Sequence, residues 1–524
     1  MAGAPLTLIA FQAIATSVAI ALGTSILATL FLRLLSSQKH RKRQPSFPPG
    51  PPGVPVIGNL WDMPSVRPWE GLRELNGQYG DVMGMRILGQ SIVILGSAGA
   101  ITQYLDRNST KTSSRPYIPT VELLGQTNGF SLMPYGSEWR TCRRAFWQHF
   151  NPKAVPKYTA AIQSSVRVVL HKLLNAPERW EQHLSDSVSA TLVKVVYDLD
   201  VKDENDEVLK AIELGLEGGR EALIPGRFLV DSLPFLRFLP SFFPSQRHFA
   251  RLSDQRSHMF DLPYALHKAA ASRNEAGDCI MTDIISSIAG DTEDAQYSAK
   301  SAEAYKVAKA VLSTTFAAGL DTGNSILKTF FLAMSLNPDV QARAHSELDA
   351  AVGRDRLPDL EDREALPYLS AIFLETLRWM PAAPLGLVHC TDEDDTFGEY
   401  FVPANTTIIP NIWACMHDPD AYDRPGAFMP ERFLRDGKLN PAVRNPFDFV
   451  FGFGRRVCPG RHYGDAMLFL HMACVLHVFR IQPSVDKDGA PIVVEPKMFN
   501  SFVSWPEDCR CTVVPRTSEL SALI

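Results

Sequence analysis

The sequence predicts a mainly helical α+β domain with small β-sheets, preceded by one N-terminal transmembrane helix. Three observations carry that expectation. From Met1 to Leu32 no side chain is charged, and most are Ala, Leu, Ile, Val, Phe or Thr. Beyond about residue 55 most of the chain repeats its apolar residues with helical period. Strict apolar–polar alternation is confined to short stretches, so the sheets should be small.

The elements follow in chain order. About 20 apolar residues span a bilayer, and the first run is longer than that. The basic cluster Lys39-His40-Arg41-Lys42-Arg43 follows it with nothing positive before it, so the basic side should stay cytoplasmic. A cleaved signal peptide would want a basic start and a shorter apolar core. Residues 1–38 therefore read as a single-pass anchor, in the endoplasmic reticulum membrane, with the rest of the chain in the cytosol. The sequons at Asn108 and Asn405 would then stay unmodified. The prolines of Phe47–Pro55 favour a stiff extended path, so residues 39–58 read as a basic and proline-rich hinge, and 59–524 as one catalytic body. Asp81–Gly96 alternates around Leu88-Gly89-Gln90, a β-hairpin pattern. The longest helical run extends from about Ala302 to Leu336 and should stop at Asn337-Pro338. Strand-like fragments return near Tyr400–Pro410 and Ile492–Val514. Between Phe228 and Phe249 aromatics and prolines are dense, which suits either core or a surface segment that dips into a lipid bilayer.

Composition narrows the function. A chain of 524 residues could hold three domains, but no Gly/Ser-rich linker or composition break divides it. Hydrophobic residues make up 45% and charged residues 21%, an ordinary globular balance. The net charge of −5 argues against nucleic acid as a partner. Eight scattered cysteines without a CxxC pair suggest neither a zinc site nor a disulfide framework.

The chemistry concentrates in Phe451-Gly452-Phe453-Gly454-Arg455-Arg456-Val457-Cys458-Pro459-Gly460. Gly452 and Gly460 would let the backbone close around the Cys458 sulfur and aim N–H groups at it. Arg456 could meet a carboxylate, and Phe451 could shield the sulfur from water. This pattern resembles the haem-binding loop of the cytochrome P-450 superfamily, whose cysteine is the axial ligand of the iron. The resemblance implies the cytochrome P-450 fold and haem b (iron protoporphyrin IX), with Cys458 as the metal ligand.

Five further segments match motifs of the family. Ala318-Gly319-Leu320-Asp321-Thr322 lies inside the long helix and is similar to the family's oxygen groove. The resemblance implies that Thr322 and Asp321 serve proton delivery beside Gly319. Glu375 and Arg378, three apart on an apolar helix, can pair. With Arg432 of Phe428–Phe433 they resemble the family's structural Glu-x-x-Arg and meander motifs. Trp139, Arg143, His389 and Arg456 are implied as partners of the haem carboxylates. The proline-rich segment resembles the hinge of membrane-bound members. Lipophilic substrate contacts should come from Arg115–Phe130, Phe316–Ala317, Pro381–Leu387 and Phe499–Val503. Motif wording looks most like fungal enzymes of specialised metabolism, with terpenoid, sterol-like or polyketide substrates.

The expected reaction is a monooxygenation with electrons from NADPH, delivered in trans by a separate NADPH-cytochrome reductase flavoprotein. Arg140, Arg144, Arg455 and Arg461 are candidates for its docking face. A haem-thiolate isomerase or dehydratase would not need the Asp321-Thr322 pair. A non-catalytic haem-binding protein would not need an intact oxygen groove.

Overall fold

The computed structural model describes residues 45–125, 129–201, 205–222, 227–275, 277, 279–289 and 299–524. The predicted anchor, residues 1–38, and the basic cluster after it lie outside these residues. None of the described helices is long and apolar enough to cross a membrane. The chain forms two units. The larger comprises Pro49–Asp394 and Pro403–Ile524. The smaller joins Asp395–Val402 to the N-terminal residues and contains a short hairpin, Asp395–Phe397 with Tyr400–Val402.

In the larger unit the elements used below are β1 (Val82–Ile87), β2 (Gln90–Leu95), α1 (Ser137–Phe150), α2 (Trp180–Tyr197), α3 (Glu207–Ala222), α4 (Pro244–Ala271), α5 (Ala299–Leu336), α6 (Pro367–Trp379), β3 (His389–Cys390), β4 (Thr407–Pro410), α7 (Arg461–Val478), β5 (Phe479–Pro483) and β6 (Cys511–Pro515). The predicted hairpin is β1–β2, and Leu88 and Gly89 both take positive φ at its turn. It belongs to a four-stranded sheet of order β1-β2-β4-β3, in which β2 and β4 run parallel. The segment 49–59 runs beside β1: Gly84 N donates to the Pro49 carbonyl at 2.8 Å, and Gly58 bridges Ile87.

α5 is the central element. It ends where Asn337-Pro338 predicts, because Pro338 lacks the N–H that a continuing helix requires and starts the next helix instead. It packs against α1, α2, α6 and α7 and supplies fully buried Val311, Leu312, Phe316, Phe330 and Phe331 to the main core. α3 and α4 pack on each other and reach α5 from one side.

The Phe228–Phe249 stretch is surface at its centre. Phe235, Phe238 and Phe242 are 64%, 75% and 65% exposed, whereas Phe249 is buried against Phe228.

Candidate active site

Cys458 lies in the loop that feeds the N-terminus of α7. Its N–H donates to the Phe451 carbonyl at 2.6 Å, and Arg456 N–H donates to Phe453 at 3.0 Å. Gly452 turns the loop with φ of 78°, where a Cβ costs roughly 1–2 kcal/mol. The Phe451 ring packs at a tilt against Phe447, with centroids 4.3 Å apart. The N–H groups of Gly460 and Arg461 donate to the sulfur, and the guanidiniums of Arg143 and Arg461 face it. All of these favour a thiolate, as does the helix N-terminus. Burial outweighs them and holds the thiol pKa above its ordinary value. All eight cysteines are free; seven are buried, and Cys458 is half-buried.

Beside this loop is a cluster of cations. Arg115 is buried and donates to the carbonyls of Ser131 (3.0 Å), Leu387 (2.8 Å) and Val388 (2.6 Å). Arg456 is buried and donates to Ser113 (2.6 Å) and Met133 (2.7 Å). Its guanidinium lies 4.5 Å from the centre of the Trp139 ring, with Arg143 at 5.9 Å from the same ring. The local fold explains the convergence. Ser114 bridges Cys390 on β3, which sets Arg115 beside His389, and α1 carries Trp139 and Arg143 one turn apart. His389 is bonded through Nδ1 to the Thr112 carbonyl at 2.7 Å. Its pKa is held well below the usual range by burial first and by Arg115 next.

Among the described residues no carboxylate lies within ion-pair distance of Arg115, Arg143 or Arg456. Burial lowers the pKa of all three. Each also faces a like charge: Arg456 acts on Arg115, Arg461 on Arg143, and Arg143 on Arg456. Asp392 acts on Arg456 only through space and bonds to Ser114. Buried like charges are tolerated only with compensating anions. A dicarboxylate macrocycle with an iron that takes a thiolate fits this donor set.

α5 packs against α7, the helix that follows Cys458, and against α1, which carries Trp139 and Arg143. The helix runs unbroken through Ala318–Thr322, and Thr322 Oγ1 donates back to the Ala318 carbonyl at 2.6 Å. Ala318 is exposed between half-buried Ala317 and Gly319. Asp321 is held by Arg220 of α3 at 2.7 and 3.0 Å, and Arg220 also binds Glu213 at 2.6 Å. Gly319 has a packing reason: a Cβ there would stand 3.0 Å from Leu192 of α2. Phe316, expected at the substrate, is instead stacked on Tyr197 in the core.

On the outside of α1, Arg140 and Arg455 lie over the Tyr135 ring at 5.7 and 5.3 Å, and Arg144 is exposed. Glu375, Arg378 and Arg432 form the expected network. Arg378 donates to Glu375 at 2.6 and 2.8 Å, and Arg432 lies 3.2 Å from it. The sequence reading missed two residues of the site. Arg115 was placed among substrate contacts, although a lone arginine in an apolar stretch was a signal. Arg220 carried none.

Comparison with known proteins agrees with this geometry. The family model described as Cytochrome P450 matches residues 48–506. Cytochrome P450 monooxygenase COX2 of Coprinopsis cinerea is 38% identical over 92% of this chain and 92% of its own length. COX1 of the same fungus is 32% identical over 97% of this chain and 99% of its own. Tryptamine 4-monooxygenase of Psilocybe cyanescens is 34% identical over 92% of this chain and 95% of its own. The chain belongs to the cytochrome P450 family and is a haem b-dependent monooxygenase.

Proposed function

We propose that Cys458 is the axial ligand of the haem iron and that Arg115, Trp139, Arg143, His389 and Arg456 receive the haem carboxylates. The observation that carries this is the pairing of one half-buried, N–H-surrounded sulfur with buried Arg115 and Arg456 and half-buried Arg143, none of which pairs with an acid among the described residues. Bound haem supplies the redox-active iron at which O2 is reduced and one oxygen atom passes to the substrate. The balance is substrate C–H plus O2, NADPH and H+ giving alcohol, water and NADP+.

The chain's own groups bind and position. Gly460 and Arg461 N–H groups hold the sulfur and moderate its charge. Thr322 keeps a hydroxyl proton at the exposed Ala318, and Asp321 is a carboxylate whose freedom depends on Arg220. The substrate is a lipophilic fungal-type metabolite of terpenoid, sterol-like or polyketide class. Electrons come from NADPH through a separate flavoprotein reductase, which docks on the face carrying Arg140, Arg144, Arg455 and Arg461. Residues 1–38 anchor the chain in the endoplasmic reticulum membrane, and the exposed Phe235, Phe238 and Phe242 add apolar contact with lipid.

The test is Cys458→His in the full chain. The reduced, carbon monoxide-bound variant should lose the red-shifted thiolate Soret band that the parent protein shows. A variant that keeps the band overturns the ligand assignment.

A further inference from the structure

Two arginines reach α5 from the helices that cover it. Ser313, Ala317 and Asp321 are spaced four apart and so lie along one flank of α5. Arg220 of α3 meets Asp321 on this flank, where two acids neutralise it. Arg256 of α4 meets Ser313, two turns earlier, or about 12 Å along the axis. Here no acid pairs with the arginine among the described residues. Arg256 is only 7% exposed, and its sole hydrogen-bond acceptor among the described residues is the Ser313 hydroxyl, taken by one terminal nitrogen. The other two nitrogens make no hydrogen bond within the described residues. The Phe260 ring packs on its guanidinium at 5.6 Å. A guanidinium keeps its charge in a protein. A buried charge without a counter-ion is unfavourable unless an anion arrives.

We infer that Arg256 is a substrate-binding residue, and that the substrate carries a carboxylate which pairs with it on the flank of α5 two turns before Asp321. This deepens the monooxygenase reading and rests on it: the lipophilic body would lie along α5 towards Ala317 and Ala318. Arg220 is the internal contrast, because a residue recruited for packing alone is expected to find an acid on the protein, as Arg220 does. A neutral lipophilic substrate would leave the buried charge of Arg256 uncompensated.

The test uses the haem-loaded full chain and spectral titration of the Soret band. The probes are decanoic acid, dodecanoic acid and a sesquiterpenoid carboxylic acid, each beside its methyl ester. The parent protein should bind at least one acid about tenfold more tightly than its ester, the worth of one charge-assisted contact. Arg256→Leu should abolish that preference, and Arg256→Lys should retain part of it. Equal binding of every acid and ester by the parent protein overturns the inference without any variant. An undiminished preference in Arg256→Leu overturns it as well. The carbon monoxide spectrum of the same samples reports the thiolate separately, so failure of the haem reading is distinguishable from failure at Arg256.

Discussion

Two groups of buried arginines stand in this molecule, and they differ in charge balance. Around Glu375 the circuit is closed. Arg378 and Glu375 are both fully buried, Arg432 shares the carboxylate, and Met429 N–H donates to it at 2.7 Å. The remaining Arg378 donors reach the carbonyls of Met416, Pro425 and Ala427. Around Arg115, Arg143 and Arg456 the circuit is open: donors converge, carbonyls take some of them, and no acid among the described residues closes the charge. The same residue type at similar burial therefore does two jobs. A closed network fixes the chain to itself, and an open one is built to hold something else. Charge balance separates the two more sharply than burial does.

The largest expected effect lies in the closed network. Glu375→Gln keeps the shape but strands two buried arginines without an anion, a change of about 3–5 kcal/mol. That is a large part of the 5–15 kcal/mol margin of an ordinary domain. Soluble yield of the variant should collapse, and any haem-free protein recovered should unfold at much lower urea. A urea midpoint within error of the parent's would show that the network is not closed by Glu375, and the contrast would fail.

How much of each group was legible in the sequence follows from the range of its contacts. Glu375 and Arg378 are three residues apart among apolar neighbours, so helical geometry alone pairs them. Arg432 came from the family resemblance, and the carbonyl acceptors around Pro425 were invisible. Trp139 and Arg143 share one turn and were readable for the same reason. Arg115 was missed because its acceptors lie 16 and 272 residues away, set by the bridge of Ser114 to Cys390. The Arg220 partner of Asp321 was invisible because it lies 101 residues earlier. The fold shows the same division. The Leu88-Gly89 hairpin and the end of α5 were local and were read correctly. Of the strand-like fragments expected near Ile492–Val514, only Cys511–Pro515 forms a named strand, paired with β5. Pro491, Pro496 and Pro506 lack the N–H that a ladder needs, so the earlier part makes only isolated bridges.

A middle-sized effect should come from the open group, with a different signature. Arg143→Met removes a cation that faces Arg461 and Arg456 and makes no ion pair among the described residues. Stability of the haem-free protein should stay within about 0.5 kcal/mol, the range of a change that breaks no compensated contact. Haem retention should fall about tenfold, read as the rate of transfer to apomyoglobin, because one charge-assisted contact is lost. If the variant instead destabilises the haem-free protein as Glu375→Gln does, the cluster is structural and the distinction disappears.

The smallest effect is a pH dependence that belongs to the closed side alone. His417 stacks on Trp413 at 4.2 Å and bonds to its carbonyl at 3.0 Å. Burial first, and the neighbouring Arg378 second, push its pKa down to about 3. In the unfolded chain the same group titrates near 6.5. Its contribution to stability is therefore fully present above about pH 6.5 and is lost as pH falls towards the folded value, because the unfolded state takes up the proton first. The slope for one such proton is about 1.4 kcal/mol per pH unit. His345, His471 and His477, each pushed down to about 4, add the same sense of slope to both proteins in a comparison. His417→Phe keeps an aromatic ring on Trp413 and removes the titration. Urea midpoints between pH 6.5 and 4.5 should therefore fall less steeply in the variant, by about one proton's slope. The difference should be the same in haem-free and haem-loaded protein, since no haem carboxylate reaches a circuit already closed by Glu375. A difference that vanishes on haem loading would mean that the two arginine groups are electrically joined, and that neither is closed or open on its own.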